Sequence, residues 1–268
     1  MALRSALMNV MTAAARKAAR VLIHDFGEVE QLQVSKKGPA DFVSAADRRA
    51  EQILMHELMT ARPNYGALFE ESGEIQGSDI SNRWIVDPLD GTLNFLHGIP
   101  HFCLSIALER DTEIFAGVTY DPLRDEMFWS EKGAGAYLNH SRLRVSSRDR
   151  LEDAVLATGL PPRRRENRGE LAAAIDSLTP QTAGIRRFGS AALGLAYVAA
   201  GRFDGFWEQG LQPWDIAAGI ILVREAGGFV GEINGGNTVM ISGDILAAND
   251  RLFDNVAKSL RDTTFNRG

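Results

Sequence analysis

Trp84-Ile85-Val86-Asp87-Pro88-Leu89-Asp90-Gly91-Thr92 is the stretch from which the rest of the chain is read. An apolar run ends at an acid, then a proline, a second acid and Gly-Thr. That order suits a buried strand emptying into a turn. In such a setting Asp87 and Asp90 can converge on one point. Two hard carboxylates at a turn suit Mg²⁺, which takes oxygen ligands and keeps several waters. Pro88 stiffens the turn and donates no N–H. Gly91 lets the backbone approach a ligand, and the amides of Gly91 and Thr92 can receive a phosphate if a helix starts there. The same residues also fit an Asp-Pro turn with a capping Asp.

Two further segments bear on the choice. Glu70-Glu71-Ser72-Gly73 follows the apolar Ala67-Leu68-Phe69 and by itself reads as a solvated turn. Trp214-Asp215-Ile216-Ala217-Ala218-Gly219 places an acid at the start of an apolar, small-residue helix, where it can serve as N-cap, metal ligand or both. Together the three segments offer four carboxylates, Glu70, Asp87, Asp90 and Asp215, with the Thr92 hydroxyl beside candidate phosphate-binding amides. That is the inventory of a multi-metal phosphoryl hydrolase.

Around these segments the periodicity predicts a helix over 3–26, a turn at Lys37–Pro39 and a helix from Ser44, as N-cap, to Ala61. Short strands are predicted at Ala67–Glu70, Trp84–Asp87, Phe102–Leu108, Ile114–Tyr120 and Glu126–Ser130, in meander order, and another at Ala154–Ala157. Helices at Arg168–Leu178, Ser190–Ala200 and Asp215–Ala226 then mix with strands at Phe203–Glu208, Phe229–Val230 and Ile245–Ala248. The class is mixed α/β or α+β. With 268 residues, one large domain or two small ones is expected at about 150 residues per domain. Polar residues gather at Ser146–Glu152, a soft boundary between a 1–150 α+β part and a 151–268 α/β part.

Composition narrows the class. A net charge of -6 argues against a dedicated nucleic-acid coat, while Arg163-Arg164-Arg165 with Arg168 leaves room for a local basic contact. One cysteine, Cys103, excludes an internal disulfide framework and a multi-cysteine zinc site, and its apolar setting marks it as core. No apolar run approaches the roughly 20 residues of a membrane span, and a cytoplasmic protein fits both observations. The first 24 residues carry Arg4, Arg16, Lys17 and Arg20 and no acid, as a transit peptide can. Their helical apolar spacing, unbroken to Phe26, reads instead as an ordinary first helix.

The segments, taken in order, resemble the inositol monophosphatase family, lithium-sensitive magnesium-dependent phosphatases related to fructose-1,6-bisphosphatase. Asp87-Pro-Leu-Asp-Gly-Thr matches its first signature and Trp214-Asp-Ile-Ala-Ala-Gly its second. Gly38-Pro-Ala-Asp41-Phe-Val-Ser-Ala-Ala-Asp47, Phe69-Glu-Glu-Ser-Gly, Gly189-Ser190-Ala191-Ala192 and Gly243-Asp-Ile-Leu-Ala-Ala-Asn-Asp250 extend the match from about Met11 to Leu260. The resemblance implies a single 1–268 domain, an αβαβα layered fold and, usually, a homodimer. It implies a site holding two or three Mg²⁺, with Glu70, Asp87 and the Leu89 carbonyl at the first and Asp87, Asp90 and Asp215 at the second. Glu70 and Thr92, with Asp47 behind Thr92, are implied to activate water, and the Gly91 and Thr92 amides to hold the phosphate. Gly189, Ser190 and Ala191 are implied to line the pocket, Glu208 to bond substrate hydroxyls, and Lys36 to stand near the metals. Asp87 as a phosphate-accepting nucleophile is rejected, because bridging metals leaves its oxygens poorly placed to attack. The implied reaction is hydrolysis of inositol 1-phosphate. Related members act on histidinol phosphate, fructose 1,6-bisphosphate or 3′-phosphoadenosine nucleotides. A role with a protein or RNA partner, as in transcription, has only the arginine cluster to support it.

Overall fold

The computed structural model describes residues 4–32, 39–159 and 168–265. Lys36 and Arg163–Arg165 lie outside the described residues, as does most of the expected Lys37–Pro39 turn, whose Pro39 opens a helix. Two long helices come first, α1 (Ala6–Leu32) and α2 (Pro39–Ala61). They are followed by β1 (Tyr65–Phe69), β2 (Gly73–Ile75), β3 (Asp79–Asp90), the short α3 (Thr92–Leu96), β4 (Cys103–Arg110), β5 (Glu113–Asp121), β6 (Glu126–Glu131), β7 (Gly135–Leu138) and β8 (Ser141–Arg142). The second half holds β9 (Val155–Thr158), α4 (Arg168–Leu178), β10 (Gly184–Arg186), α5 (Ala191–Ala199), β11 (Gly205–Glu208), α6 (Pro213–Glu225), β12 (Phe229–Gly231), α7 (Val239–Ser242), β13 (Ile245–Ala248) and α8 (Phe253–Phe265).

The strands form an eight-stranded sheet, ordered β2-β1-β3-β4-β5-β6-β7-β8, and a five-stranded sheet, ordered β10-β9-β11-β13-β12. From β3 to β8 the first sheet is the expected antiparallel meander, while β1 joins β3 in parallel. Side chains alternate across a strand, and the alternation assigns each face to a helix layer. In β3, Trp84 and Val86 join the core with α1 and α2, while Ile85 packs with Ala217 and Ala218 of α6. In β11, Phe206 faces the α5–α6 layer and Trp207 faces α8, and Ala247 and Leu246 of β13 divide the same way. The result is five layers: α1–α2, first sheet, α5–α6, second sheet, α4–α8. Strands buried on both faces read as unbroken apolar runs, which is why the sequence shows them so clearly. Each fully buried Leu, Ile or Phe contributes about 1.5–3 kcal/mol against leaving it in water. The middle layer sits close: a Cβ on Gly117 of β5 would lie 2.9 Å from Ala218 Cα of α6. No helix among the described residues is long and apolar enough to cross a membrane.

Several boundaries differ from expectation. The second helix begins at Pro39 rather than Ser44, because a proline pre-sets the helical φ and needs no N–H partner in the first turn. Ser44 is therefore inside α2 and is not its N-cap. The first helix continues past 26 to Leu32. The third helix of the second half starts at Pro213, with Gln212 as N-cap and Asp215 as its third residue, so Asp215 is not the cap. The strand expected at Trp84–Asp87 extends over Asp79–Asp90.

Candidate active site

The geometry of the site begins with an irregularity in β3. Asp87 pairs with Ser105 and Asp90 with Cys103, so three steps on β3 oppose two on β4. In a regular strand residues three apart face opposite sides. The extra residue at Pro88–Leu89 brings Asp87 and Asp90 to the same side. Pro88 fits there because a bulge asks no ladder hydrogen bond of it. The Asp87 Oδ1 accepts the Leu89 N–H at 2.8 Å, which closes the turn.

Neighbouring elements deliver the other carboxylates. Phe69 of β1 pairs with Val86, and the Glu70 N–H donates to the Val86 carbonyl at 3.2 Å, so Glu70 stands beside Asp87. Glu51 of α2 is buried and holds that turn: its Oε2 accepts the Glu71 N–H at 2.9 Å and its Oε1 accepts the Ser72 hydroxyl. Asp47, one helical turn earlier, is buried on the same face. Asp215 reaches the site from the first turn of α6, where its Oδ2 accepts the Gln212 N–H at 2.7 Å in a capping box. The Ser105 hydroxyl donates to the Trp214 carbonyl at 3.1 Å and ties α6 to β4 next to Asp87.

Asp87, Asp90 and Asp215 each offer an oxygen within 4.8 Å of the others. Burial first, and then Glu70, Asp90 and Asp215, push the Asp87 carboxyl well above its ordinary value. Burial also raises Asp90 and Glu70. Asp215 is raised to about 7, by burial and then by Asp90. Asp47 is raised to about 8, by burial and then by Glu70, Glu71 and Glu51. Asp47 Oδ1 and Glu70 Oε2 are buried without a hydrogen-bond partner. Buried, mutually repelling carboxylates with unfilled oxygen valences are the donor set that a hard divalent cation satisfies. The residues fit a metal site.

Beside the carboxylates, Gly91 adopts φ 97° as the residue before α3. A Cβ there would also press on the His101 carbonyl at 3.0 Å, so the left-handed turn requires glycine. The first amides of the helix lack partners within it. Thr92 Oγ1 donates to the Leu89 carbonyl at 3.0 Å. The hydrogen bonds of the described residues do not join Thr92 to Asp47. The cleft leading away has a volume of about 400 Å³ and is lined by Asp90, Ser190, Arg187, Phe188, Glu208 and Asp215. Gly189 and Ala191 line it as well. Burial and then Asp90 and Asp215 raise Glu208 to about 8, with Arg187 opposing. A Cβ on Gly159 would overlap the Glu208 carboxyl, so this residue must be glycine for Glu208 to stand where it does.

The model of the inositol monophosphatase family matches residues 3–264 of the chain. The chain belongs to the inositol monophosphatase family. An inositol-1-monophosphatase of Mesorhizobium japonicum is 56% identical over 247 residues, 92% of this chain and 93% of its own. The Nus factor SuhB of Escherichia coli K12 is 42% identical over 256 residues, 96% of each chain. The crystal structure of the extragenic suppressor protein suhB from Bartonella henselae superposes with a TM-score of 0.90 at 56% identity, covering 96% of this chain and 99% of that one. As a member of the inositol monophosphatase family the chain is a phosphatase, and its layered fold is the one the resemblance implies.

Some of the site was not visible in the sequence of this inositol monophosphatase relative. Glu51 lies four residues after Asp47 on a helix, and that spacing was the available signal for a shared face. Asn94 lies in the middle of the short α3; its Nδ2 donates to the carbonyls of His101 at 2.8 Å and Phe188 at 2.6 Å. Cys103 is core, as expected, and its Sγ also lies 3.8 Å from Asp90 Oδ2. Burial pushes that thiol up, so it stays protonated.

Proposed function

We infer that this phosphatase hydrolyses the monoester of a small polyol phosphate, inositol 1-phosphate first among them, with Mg²⁺ as its metal. The observation that carries this is the convergence of Asp87, Asp90 and Asp215 beside the Gly91–Thr92 turn, in a cleft that Glu208 also lines. Glu70, Asp87, the Leu89 carbonyl, Asp90 and Asp215 would hold two or three ions, with no sulfur or nitrogen ligand among them. Mg²⁺ bound there supplies positive charge to the phosphoryl oxygens and makes water nucleophilic at neutral pH. The amides of Gly91 and Thr92 receive phosphate oxygens that no acidic side chain could share. Glu70 accepts a proton from the attacking water, a carboxylate held beside Asp87 by its backbone bond to Val86. The Thr92 hydroxyl orients that water, and Asp47 stands behind as part of the same acidic wall. Glu208 receives substrate hydroxyls, while Gly189, Ser190 and Ala191 shape the cleft wall. No residue is phosphorylated in this scheme.

Support for the substrate comes from the relative at 56% identity, which bears the name inositol-1-monophosphatase. The test is phosphate release from inositol 1-phosphate, histidinol phosphate, fructose 1,6-bisphosphate and a 3′-phosphoadenosine nucleotide, each with Mg²⁺, with EDTA, and with Mg²⁺ plus Li⁺. Mg²⁺-dependent, Li⁺-sensitive release greatest from inositol 1-phosphate is expected. Preference for another ester moves the substrate and keeps the chemistry; no release from any of them ends the proposal.

A second role follows from the relative named Nus factor SuhB: contact with a transcription partner in the cytoplasm. A catalytically inactive Asp87→Asn chain that still supports that role would separate it from hydrolysis. The assembly we propose is a homodimer, because Leu93 and Phe188 expose apolar surface at the cleft and Ile99 is exposed as well. Sedimentation at the mass of one chain would refute it.

A further inference from the structure

Asp90 is held from the other half of the chain. It sits on β3, yet its Oδ2 accepts the Ser190 hydroxyl at 2.5 Å and the Ala192 N–H at 2.8 Å, both from the start of α5. The Cys103 thiol approaches the same oxygen at 3.8 Å. Ser190 Oγ also accepts the Leu193 N–H at 3.3 Å as the N-cap of α5. A hydroxyl carries one proton. With Leu193 on a lone pair, that proton goes to Asp90 at 2.5 Å rather than to the Cys103 sulfur at 3.7 Å. A carboxylate oxygen already taking two donors has little left for a cation, which directs a cation to Oδ1. The turn before Ser190 is itself held, since Asn94 Nδ2 on α3 grips the Phe188 carbonyl at 2.6 Å.

We propose that Ser190 is a positioning residue for the metal site: its hydroxyl, shared between the α5 cap and Asp90 Oδ2, fixes the rotation of the Asp90 carboxylate. Ser190 lines the cleft, as the resemblance implies, and its hydroxyl is at the same time given to Asp90. This rests on the reading of Asp87, Asp90 and Asp215 as ligands of Mg²⁺.

The experiment compares the full chain with Ser190→Ala, Ser190→Gly and Ser190→Thr. Mg²⁺ binding is measured by calorimetry without substrate, and the melting temperature in EDTA. Glycine caps a helix nearly as well as threonine, and alanine does not. Loss of an outer partner of a metal ligand weakens metal binding by roughly 10- to 100-fold. The expected result is that Ala and Gly both weaken Mg²⁺ binding in that range, that only Ala lowers the melting temperature appreciably, and that Thr restores both. If Ala and Gly bind Mg²⁺ like the parent while Ala alone melts early, Ser190 is a helix cap only and the proposal falls. If the parent chain binds no Mg²⁺, the reading of the ligands falls and takes this with it, a result told apart by the parent measurement alone.

Discussion

Asp204 and Asp87 are both buried carboxylates, and they live in opposite surroundings. Asp204 accepts the Val155 N–H at 2.7 Å and the Arg148 guanidinium at 3.1 Å. Asp121 is similar, taking the Leu123 and Arg124 amides and the Arg124 side chain. Asp87 accepts one amide and otherwise faces Glu70, Asp90 and Asp215. Burial alone does not mark the functional acids, since all three are buried. The mark is burial without a cationic partner among the described residues. The fold neutralises a carboxylate where it needs a strut and leaves one uncompensated where a ligand is to supply the charge.

The largest consequence is for Asp87→Asn. Catalysis should fall on the order of a thousandfold or more, as for loss of a central electrostatic group. The metal-free chain should at the same time melt no lower, and we expect higher, because a repelled charge becomes a neutral amide. Phosphate-release kinetics and calorimetry in EDTA measure the two. A clear fall in melting temperature would mean that Asp87 is a strut like Asp204, and the contrast would be lost.

Gly159→Ala comes next. The new Cβ must displace Glu208, and misplacement of a contact group by about 1 Å can cost about 100-fold. The loss in kcat/KM should be of that order for a polyol phosphate and much smaller for p-nitrophenyl phosphate, which has no hydroxyls for Glu208 to receive. Equal losses on both would place the effect on the phosphate end of the cleft.

These residues differ in how far the sequence exposed them. Asp87 and Asp90 stand three apart in one segment, so their shared role is legible; the bulge that turns both to one side is not, because it depends on pairing with β4. Asp215 was legible as the acid of a helix start and misplaced by two positions. Gln212 is an unusual cap, and Pro213 at the first helical position was the better signal. The bond from Ser190 to Asp90 joins residues 100 apart and leaves no local trace. Strands such as β2, β7, β8 and β10 span two to four residues, too few to show a period. The helix α8 is a different failure: Phe253, Val256, Ala257 and Leu260 keep helical spacing, and the polar residues between them masked it.

Asp204→Ala tests the quiet side of the contrast. It should cost about 1–3 kcal/mol of stability by stranding the Val155 N–H, with the larger share from that amide, since Arg148 is half exposed. Denaturant unfolding measures it, and kcat of the folded protein should not change. A catalytic loss at unchanged stability would show that Asp204 belongs with Asp87 after all.

A pH series of melting temperatures separates the two kinds of carboxylate without any mutation. Asp215 is raised to about 7 and Asp47 and Glu208 to about 8, each chiefly by burial. In the unfolded chain the same groups release their protons near pH 4. Between those values the folded state therefore binds more protons than the unfolded one, and stability must fall as pH rises. The contribution is fully present below about pH 4 and is gone above about pH 8. Mg²⁺ acts with the opposite sign across this window, because it binds the ionised carboxylates and competes with their protons. Subtracting the melting temperature in EDTA from that in Mg²⁺ isolates the groups that answer to the ion. The difference should widen steadily from pH 5 to pH 8. A constant difference would mean that the cluster ionises like ordinary surface acid, and that its lack of a counter-charge costs the fold nothing.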